Sequence, residues 1–180
     1  MNNLAYGFLL PRHLVHDSIA CPAIVTGACD DGLAFALENE MSGPEFLGGG
    51  MPSALLLPDN RVRMFLNGER DGVRAIFSLI SNDGLNSACE IGIRIPAPAN
   101  RDLNNPQPIR LSNGSYMMVY GSYAPEMMDK PKPWTYTEIR LAISTDGFNW
   151  IVNPTVIGHG VTSCIVETAD GTPLIYYVNQ

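Results

Sequence analysis

The sequence predicts an all-β fold of short antiparallel strands, and three observations support this prediction. Short apolar, β-branched runs alternate with clusters of turn residues along most of the 180 residues, which is the pattern of strands joined by turns. The chain contains 17 Gly and 14 Pro, and no window keeps the 3.6-residue apolar spacing of a long helix. Asp-Gly pairs recur at 31/32, 83/84 and 146/147, and such a pair between apolar runs is the strongest short-range hairpin signal.

The three Asp-Gly pairs lie in related motifs. The fullest is Ser-Thr-Asp-Gly-Phe-Asn-Trp at 144–150, and weaker copies occupy 81–86 and 29–35. Glycine accepts the positive φ of a type I′ turn and aspartate tolerates it. We expect the carboxylates of Asp31, Asp83 and Asp146 to accept nearby backbone N–H groups, so these residues form turns and are not catalytic acids.

The first half of the chain contains two kinds of hairpin. A strand at 4–10 ends at Pro11, and strands at 22–28 and 33–38 flank the first Asp-Gly turn. A Gly-rich loop at 41–51 follows. Strands at 53–57 and 62–66 then flank a plain turn at 59/60, and strands at 73–80 and 89–95 flank the second Asp-Gly turn.

The second half repeats this order. After a Pro/Asn loop at 97–105, strands at 108–111 and 116–120 flank the plain turn at 113/114. A proline-rich insertion at 124–135 precedes strands at 138–143 and 151–157 around the third Asp-Gly turn. Strands at 163–168 and 173–178 around 170/171 form the plain hairpin a third time.

Each full period is thus a four-stranded meander of roughly fifty to sixty residues, in the range of β-propeller blades. Two whole blades lie at about 51–97 and 106–158. The N-terminal part supplies the outer half of a third blade and the C-terminal part the inner half. We predict a single β-propeller domain over 1–180, with Trp150 packed between blades.

Composition excludes several classes of function. The net charge of -7 argues against nucleic-acid binding, which needs clustered Lys and Arg. The apolar runs are far shorter than a membrane span, and residues 1–10 lack the basic start and cleavage site of a signal peptide, so we expect a cytoplasmic protein. The four cysteines show no metal-binding spacing, and we predict no metal and no cofactor; a disulfide between Cys21 and Cys29 stays open.

The alternation of hairpins resembles a known group of enzymes. Over residues 22–177 the motifs are similar to those of the five-bladed glycoside hydrolases, the arabinanase, xylosidase and invertase group with its related phosphorylases. Residues 144–150 are also similar to a shortened Asp-box of the six-bladed sialidases. The resemblance implies a propeller fold and chemistry at glycosidic bonds.

The chain departs from this group where the chemistry would lie. In the hydrolases an Asp-Pro pair commonly opens an inner strand and places a carboxylate at the central pocket. The matching places here read Gly-Met-Pro at 50–52, Asn-Asn-Pro at 104–106 and Gly-His-Gly at 158–160. Because glycoside hydrolysis needs two facing carboxylates, we predict no catalytic residue. Ile-Arg-Ile-Pro at 93–96 is similar to an arginine element of sialidases, but we interpret Arg94 as a surface or edge arginine of an outer strand.

A polar cluster is the candidate ligand site. Loops on rigid scaffolds commonly carry binding residues, and the candidates are Arg101, Asp102, Asn104, Asn105, His159 and Glu45. We predict a non-catalytic carbohydrate-binding or structural half-propeller related to glycoside hydrolases. The alternative is a glycoside hydrolase-like or phosphorylase-like enzyme that uses Asp102 or Glu45 as one carboxylate and an unrecognised second one.

Three blade equivalents do not close a ring, because propellers have about four to eight blades. We therefore predict a homodimer of six blades, with a saccharide as the candidate ligand. Each seam blade would combine strands 163–168 and 173–178 of one copy with strands 22–28 and 33–38 of the other. Two alternatives stay open: the chain is a fragment of a longer five-bladed enzyme, or residues 1–21 plug an incomplete ring.

Overall fold

The computed structural model describes residues 47–178 except Leu85 and Lys132. The chain divides into two compact units, Met1–Ser42 and Gly43–Gln180, and all described residues belong to the second. The predicted strands at 4–10, 22–28 and 33–38 lie outside the described residues. The same holds for Asp31, Glu45 and the cysteines Cys21 and Cys29.

The first sheet, blade A, is an antiparallel meander. Its strands are β1 (Leu47–Leu56), β2 (Val62–Arg70), β3 (Val73–Ser81), β4 (Ser87–Cys89) and β5 (Ile95–Pro96). They are ordered β1-β2-β3, and both β4 and β5 pair with the outer edge of β3. Blade A therefore has four strand positions, the outermost occupied by two short pieces.

The second sheet, blade B, repeats this plan, and a final hairpin begins it again. Blade B contains β6 (Asp102–Arg110), β7 (Tyr116–Tyr123), β8 (Glu138–Ser144), β9 (Ile151–Val152) and β10 (Gly158–His159). Hairpin C consists of β11 (Val161–Glu167) and β12 (Pro173–Val178). Short 3₁₀ helices at Pro125–Met127 and Pro133–Tyr136 lie between β7 and β8. The all-β prediction is confirmed: the described residues form antiparallel sheets, consistent with part of a β-propeller.

Apolar side chains join neighbouring sheets. One cluster combines Phe65 and Ile76 of blade A with Met118 and Ala142 of blade B. Strand side chains alternate between the two faces of a sheet, so the next residue after Met118, Val119, packs into a second cluster with Ile139 and with Ile165 of hairpin C. Burying a side chain such as that of Phe65 contributes about 1.5–3 kcal/mol relative to leaving it exposed. No helix in the described part of the chain is long and apolar enough to cross a membrane.

The two described Asp-Gly turns of the outer strands share one set of hydrogen bonds. The amide of Gly84 donates to Ser81 Oγ at 2.8 Å and the amide of Asn86 to Asp83 Oδ1 at 2.7 Å. The turn after β8 repeats both bonds, from Gly147 to Ser144 and from Asn149 to Asp146, at 2.9 and 2.8 Å. The expected type I′ geometry is wrong here: the glycines have positive φ but the aspartates do not. The aspartate carboxylate accepts hydrogen bonds from backbone N–H groups further along the chain and so stabilises a wider turn.

Two strands begin earlier than predicted. The expected loops at 41–51 and 97–105 contain the first residues of β1 and β6. Both strands pass a proline by a bulge, in which Met51 and Asn105, each directly before a proline, take φ of 51° and 47°. A bulge allows a strand to continue past a residue that has no N–H to donate, and the local pattern therefore looked like a loop.

Candidate functional site

A cleft of about 310 Å³ lies between blades A and B, at one end of their strands. The residues that line it come from the end of β2, the start of β3, the start of β6 and the end of β7: Asn67, Gly68, Glu69, Arg74, Ala75, Asp102, Leu103 and Tyr123. The site is therefore built from the strand ends of two blades.

The connection between the blades brings these residues together. The amide of Ala97 donates to the carbonyl of Arg74 at 3.0 Å, and after blade B the amide of Gly160 donates to the carbonyl of Thr137 at 2.9 Å. β11 begins directly after Gly160, whereas the four residues 98–101 separate Ala97 from the start of β6. The last of these is Arg101, and Asp102 then begins β6 beside blade A.

Arg74 is the central charge of the cleft. Its Nη1 lies 2.9 Å from Asp102 Oδ1, and its Nε lies 3.2 Å from Glu69 Oε2. The hydrogen bond with Glu69, and then the charge of Asp102, raise the pKa of Arg74. The guanidinium thus stands between one carboxylate of its own blade and one of the neighbouring blade, with 49% of the side chain exposed.

Tyr123 adds a neutral hydroxyl to the site. Burial, and next the charge of Asp102, raise the pKa of Tyr123, and its hydroxyl hydrogen-bonds to Asp102. Tyr123 therefore keeps its proton at physiological pH. Asp102 accepts hydrogen bonds from both blades, from Arg74 in A and Tyr123 in B.

Further ion pairs extend this arrangement along blade B. Arg101 donates from Nε to Ser122 Oγ at 2.8 Å, and its Nη2 lies 3.2 Å from Glu138 Oε2. Arg140 contacts the same carboxylate and donates from Nη1 to the carbonyl of Pro154 at 2.9 Å. The ion pairs therefore form two groups, Glu69–Arg74–Asp102 in the cleft and Arg101–Glu138–Arg140 on blade B.

The other candidate residues are placed differently. Asn104 Oδ1 lies only 1.9 Å from where a Cβ on Gly121 would be, so its amide occupies the space beside that glycine within the sheet. Asn105 lies in the β6 bulge. The expected position of His159 near the central axis is wrong: His159 lies in β10, where it pairs with Glu138 on the outer side of blade B, because the inner strand begins only at Val161.

Four of the six residues in these two ion-pair groups were not identified from the sequence: Glu69, Arg74, Glu138 and Arg140. Glu69 and Arg74 face each other across β2 and β3, which are joined by the two-residue turn Asp71-Gly72. Both turn residues have positive φ, 54° and 74°, as a type I′ turn requires. The Asp-Gly pair at 71/72 was the available signal, because a two-residue hairpin places the charged residues that flank it opposite each other.

Arg94 is not the surface arginine that was expected. It is only 4% exposed, and its guanidinium carbon lies 3.4 Å from the centroid of the Phe148 ring. Nearby, Arg63 forms a buried ion pair with Glu90 at 2.7 Å. Phe148 belongs to the turn after β8, at the edge opposite the cleft, so Arg94 joins the two blades far from the site.

Trp150 also lies between the blades. Its ring packs edge-on against Phe65 of blade A, with 5.7 Å between the centroids. The tryptophan thereby fixes the end of the turn against the shared core.

The chemistry of the cleft is that of hydrogen bonding to a polar ligand. It offers two carboxylates as acceptors and a guanidinium and a phenol as donors. Among the described residues, no group of three or more His, Cys, Asp and Glu could hold a metal ion.

Solved structures share the fold of this chain. A protein of unknown function from Dyadobacter fermentans superimposes with a TM-score of 0.55 at 16% identity, over 77% of this chain and 49% of that one. A glycosyl hydrolase from Bacteroides ovatus superimposes with a TM-score of 0.51 at 16% identity, over 75% of this chain and 41% of that one. The chain thus spans less than half the length of these structures. No protein-family model and no curated protein matches the sequence.

Proposed function

We propose that this chain is a non-catalytic carbohydrate-binding module on a partial β-propeller, with the cleft between blades A and B as the saccharide site. The observation that carries the proposal is the bridging of Glu69 and Asp102 by Arg74 inside that cleft. Sugar hydroxyls both donate and accept hydrogen bonds. Fixed carboxylates accept from them, and a planar guanidinium donates to them.

The size and walls of the cleft suit a small saccharide. Its volume of about 310 Å³ is at the lower end of the range of about 300–1,000 Å³ for small-molecule sites. Tyr123 contributes an aromatic side chain together with its hydroxyl. The glycosyl hydrolase from Bacteroides ovatus, which shares the fold, gives further support for a saccharide as the ligand.

The arrangement of the charges favours binding over hydrolysis. Glycosidases place two carboxylates on either side of the scissile bond, about 5–9.5 Å apart. Here the two carboxylates lining the cleft are Glu69 and Asp102, and the guanidinium of Arg74 lies between them. It occupies the space that a glycosidic bond would need.

One observation favours a second candidate function, a glycoside hydrolase-like or phosphorylase-like enzyme. The two carboxylates come from different blades and lie on either side of one half-exposed side chain. If a substrate displaced Arg74, Glu69 and Asp102 would face each other across it. The catalytic pair would then be these two residues.

The scaffold of the proposed module is completed by a second copy of the chain. The described part contains two four-stranded blades and the two strands of hairpin C, and propellers have about four to eight blades. Each copy would contribute three blade equivalents, two whole blades and two halves, so a homodimer would supply six blades.

Saccharide binding is tested first with a glycan array and then by calorimetric titration of the best ligand. Arg74→Ala should weaken binding roughly tenfold or more, since a hydrogen bond to a charged group is worth about 1.5–3 kcal/mol. The matched control is Arg110→Ala, an exposed arginine at the other end of β6, which should leave the affinity unchanged. An array without a binding glycan, or equal affinities for Arg74→Ala and the wild type, would overturn the proposal.

A further inference from the structure

Hairpin C has one covered face and one exposed apolar face. Ile165 and Ile175 pack towards blade B with Val119 and Ile139. On the opposite face Leu174, Tyr176 and Val178 are exposed, Tyr176 to 53%. Cys164 and Val166 stand opposite Tyr176 and Leu174 in the β11–β12 register and extend this surface, which we call the C face.

One edge of hairpin C also has no partner strand among residues 47–178, the part of the chain that the structure describes. The corresponding second strands of blades A and B pair on both sides. β2 pairs with β1 and β3, and β7 pairs with β6 and β8. In the described part of the chain β12 pairs with β11 alone. An unpaired edge beside an apolar face is a template for another strand.

The segment 22–38 has the sequence pattern of an outer hairpin. In blades A and B a fully buried isoleucine, Ile76 or Ile139, precedes the aspartate of the Asp-Gly turn by seven residues. Residues 22–38 repeat this spacing, with Ile24 seven residues before Asp31. The segment therefore has the sequence pattern of β3–β4 and β8–β9, and no described strand holds the matching place beside hairpin C.

We propose that the segment 22–38 of a second copy pairs as strands with the edge of β12, and that this interface covers the C face. This inference depends on the assembly part of the proposed function and not on the saccharide site. Segment 22–38 precedes blade A in the chain and hairpin C follows blade B. Joining them within one copy would close a ring of three blades, fewer than the roughly four that propellers need. Two copies exchange the segment reciprocally, which gives two equal seams and a two-fold axis.

The test is the mass in solution, measured by light scattering at micromolar concentration without saccharide. The wild type should have twice the chain mass of 19.6 kDa. Tyr176→Asp on the C face and Ile24→Asp on the incoming segment should each raise the dimer dissociation constant at least tenfold. The control Ile91→Asp changes an apolar residue of blade A that is 92% exposed, and it should leave the dimer intact.

Mixing the two variants separates a lost seam from a lost fold. In a mixed dimer of Tyr176→Asp and Ile24→Asp, one seam carries both substitutions and the other carries neither. The mixture should therefore dimerise more tightly than either variant alone. A monomeric wild type, a Tyr176→Asp dimer as stable as the wild type, or a mixture that stays monomeric would overturn the proposal. Because no saccharide is present, failure of the cleft to bind sugar would leave these results unchanged.

Discussion

The guanidinium carbon of Arg94 lies 3.4 Å from the centroid of the Phe148 ring, although 54 residues separate them in the chain. Arg94 belongs to the outer side of blade A and Phe148 to the turn after β8 in blade B. The Nη1 of Arg94 also donates a hydrogen bond to the carbonyl of Phe148 at 3.2 Å. The stack joins the blades at the strand ends opposite the cleft.

Phe148→Leu should destabilise the protein by about 1–2 kcal/mol, because leucine keeps most of the apolar volume but loses the π face under a desolvated cation. Chemical denaturation measures the change. The control is a double-mutant cycle with Arg94→Met, in which Phe148→Leu should cost less once the cation is gone. Equal costs in both backgrounds would show that the ring contributes only apolar area.

Trp150→Ala should reduce the free energy of unfolding by about 3–5 kcal/mol, as removing a large aromatic ring packed against a core does. The indole Nε1 is buried without a hydrogen-bond partner, so Trp150→Phe should cost distinctly less. Thermal and chemical unfolding of both variants provide the comparison. An unchanged melting curve for Trp150→Ala would place the ring in solvent and make it a candidate for sugar stacking.

Gly121→Ala should destabilise blade B by about 1–3 kcal/mol, the usual cost of overpacking. The new Cβ would lie 1.9 Å from Asn104 Oδ1 and 2.8 Å from Thr137 Cγ2. Asn104→Gly should relieve much of the cost, and blade A already pairs a glycine with an asparagine at the matching register, Gly50 with Asn67. Additive effects of the two substitutions in unfolding experiments would contradict the contact.

Asp146→Asn should lower stability at neutral pH, by an amount that shrinks as the pH falls. Burial raises the pKa of Asp146, but the hydrogen bonds from Asn149, Phe148 and Ser144 outweigh it and hold this pKa well below 3.8. A depressed folded-state pKa gives stability that is present above the unfolded value, near 3.9, and is lost as the pH falls through the folded value. Urea unfolding between pH 7 and pH 2 measures the trend, with the exposed Asp129→Asn as control. A pH-independent difference would mean that the charge of Asp146 contributes nothing.

The meander could be predicted because its signals are local. Asp-Gly and Asn-Gly turns and short apolar runs identify hairpins by backbone preference alone, and they predicted both blades and hairpin C. Their ends were harder, because the bulges at Met51 and Asn105 depend on pairing with a neighbouring strand.

The site could be predicted only in part, since it forms between blades. Arg101 and Asp102 were identified as a polar cluster, but nothing near them in the sequence indicates Arg74, which reaches Asp102 from 28 residues away. For the same reason Arg94 was taken for a surface residue: its burial depends on Phe148 of the other blade. His159 was misplaced because two residues of outer strand precede β11.

The most direct test of the account is turnover on a panel of chromogenic pentosides and hexosides, measured for the wild type and for Asp102→Asn. We predict no hydrolysis above the enzyme-free rate for either protein, because Arg74 occupies the gap between Glu69 and Asp102. The control variant is Asp170→Asn, in the distant turn of hairpin C. Turnover by the wild type that survives in Asp170→Asn and is lost in Asp102→Asn would contradict the account and identify the cleft as an active site.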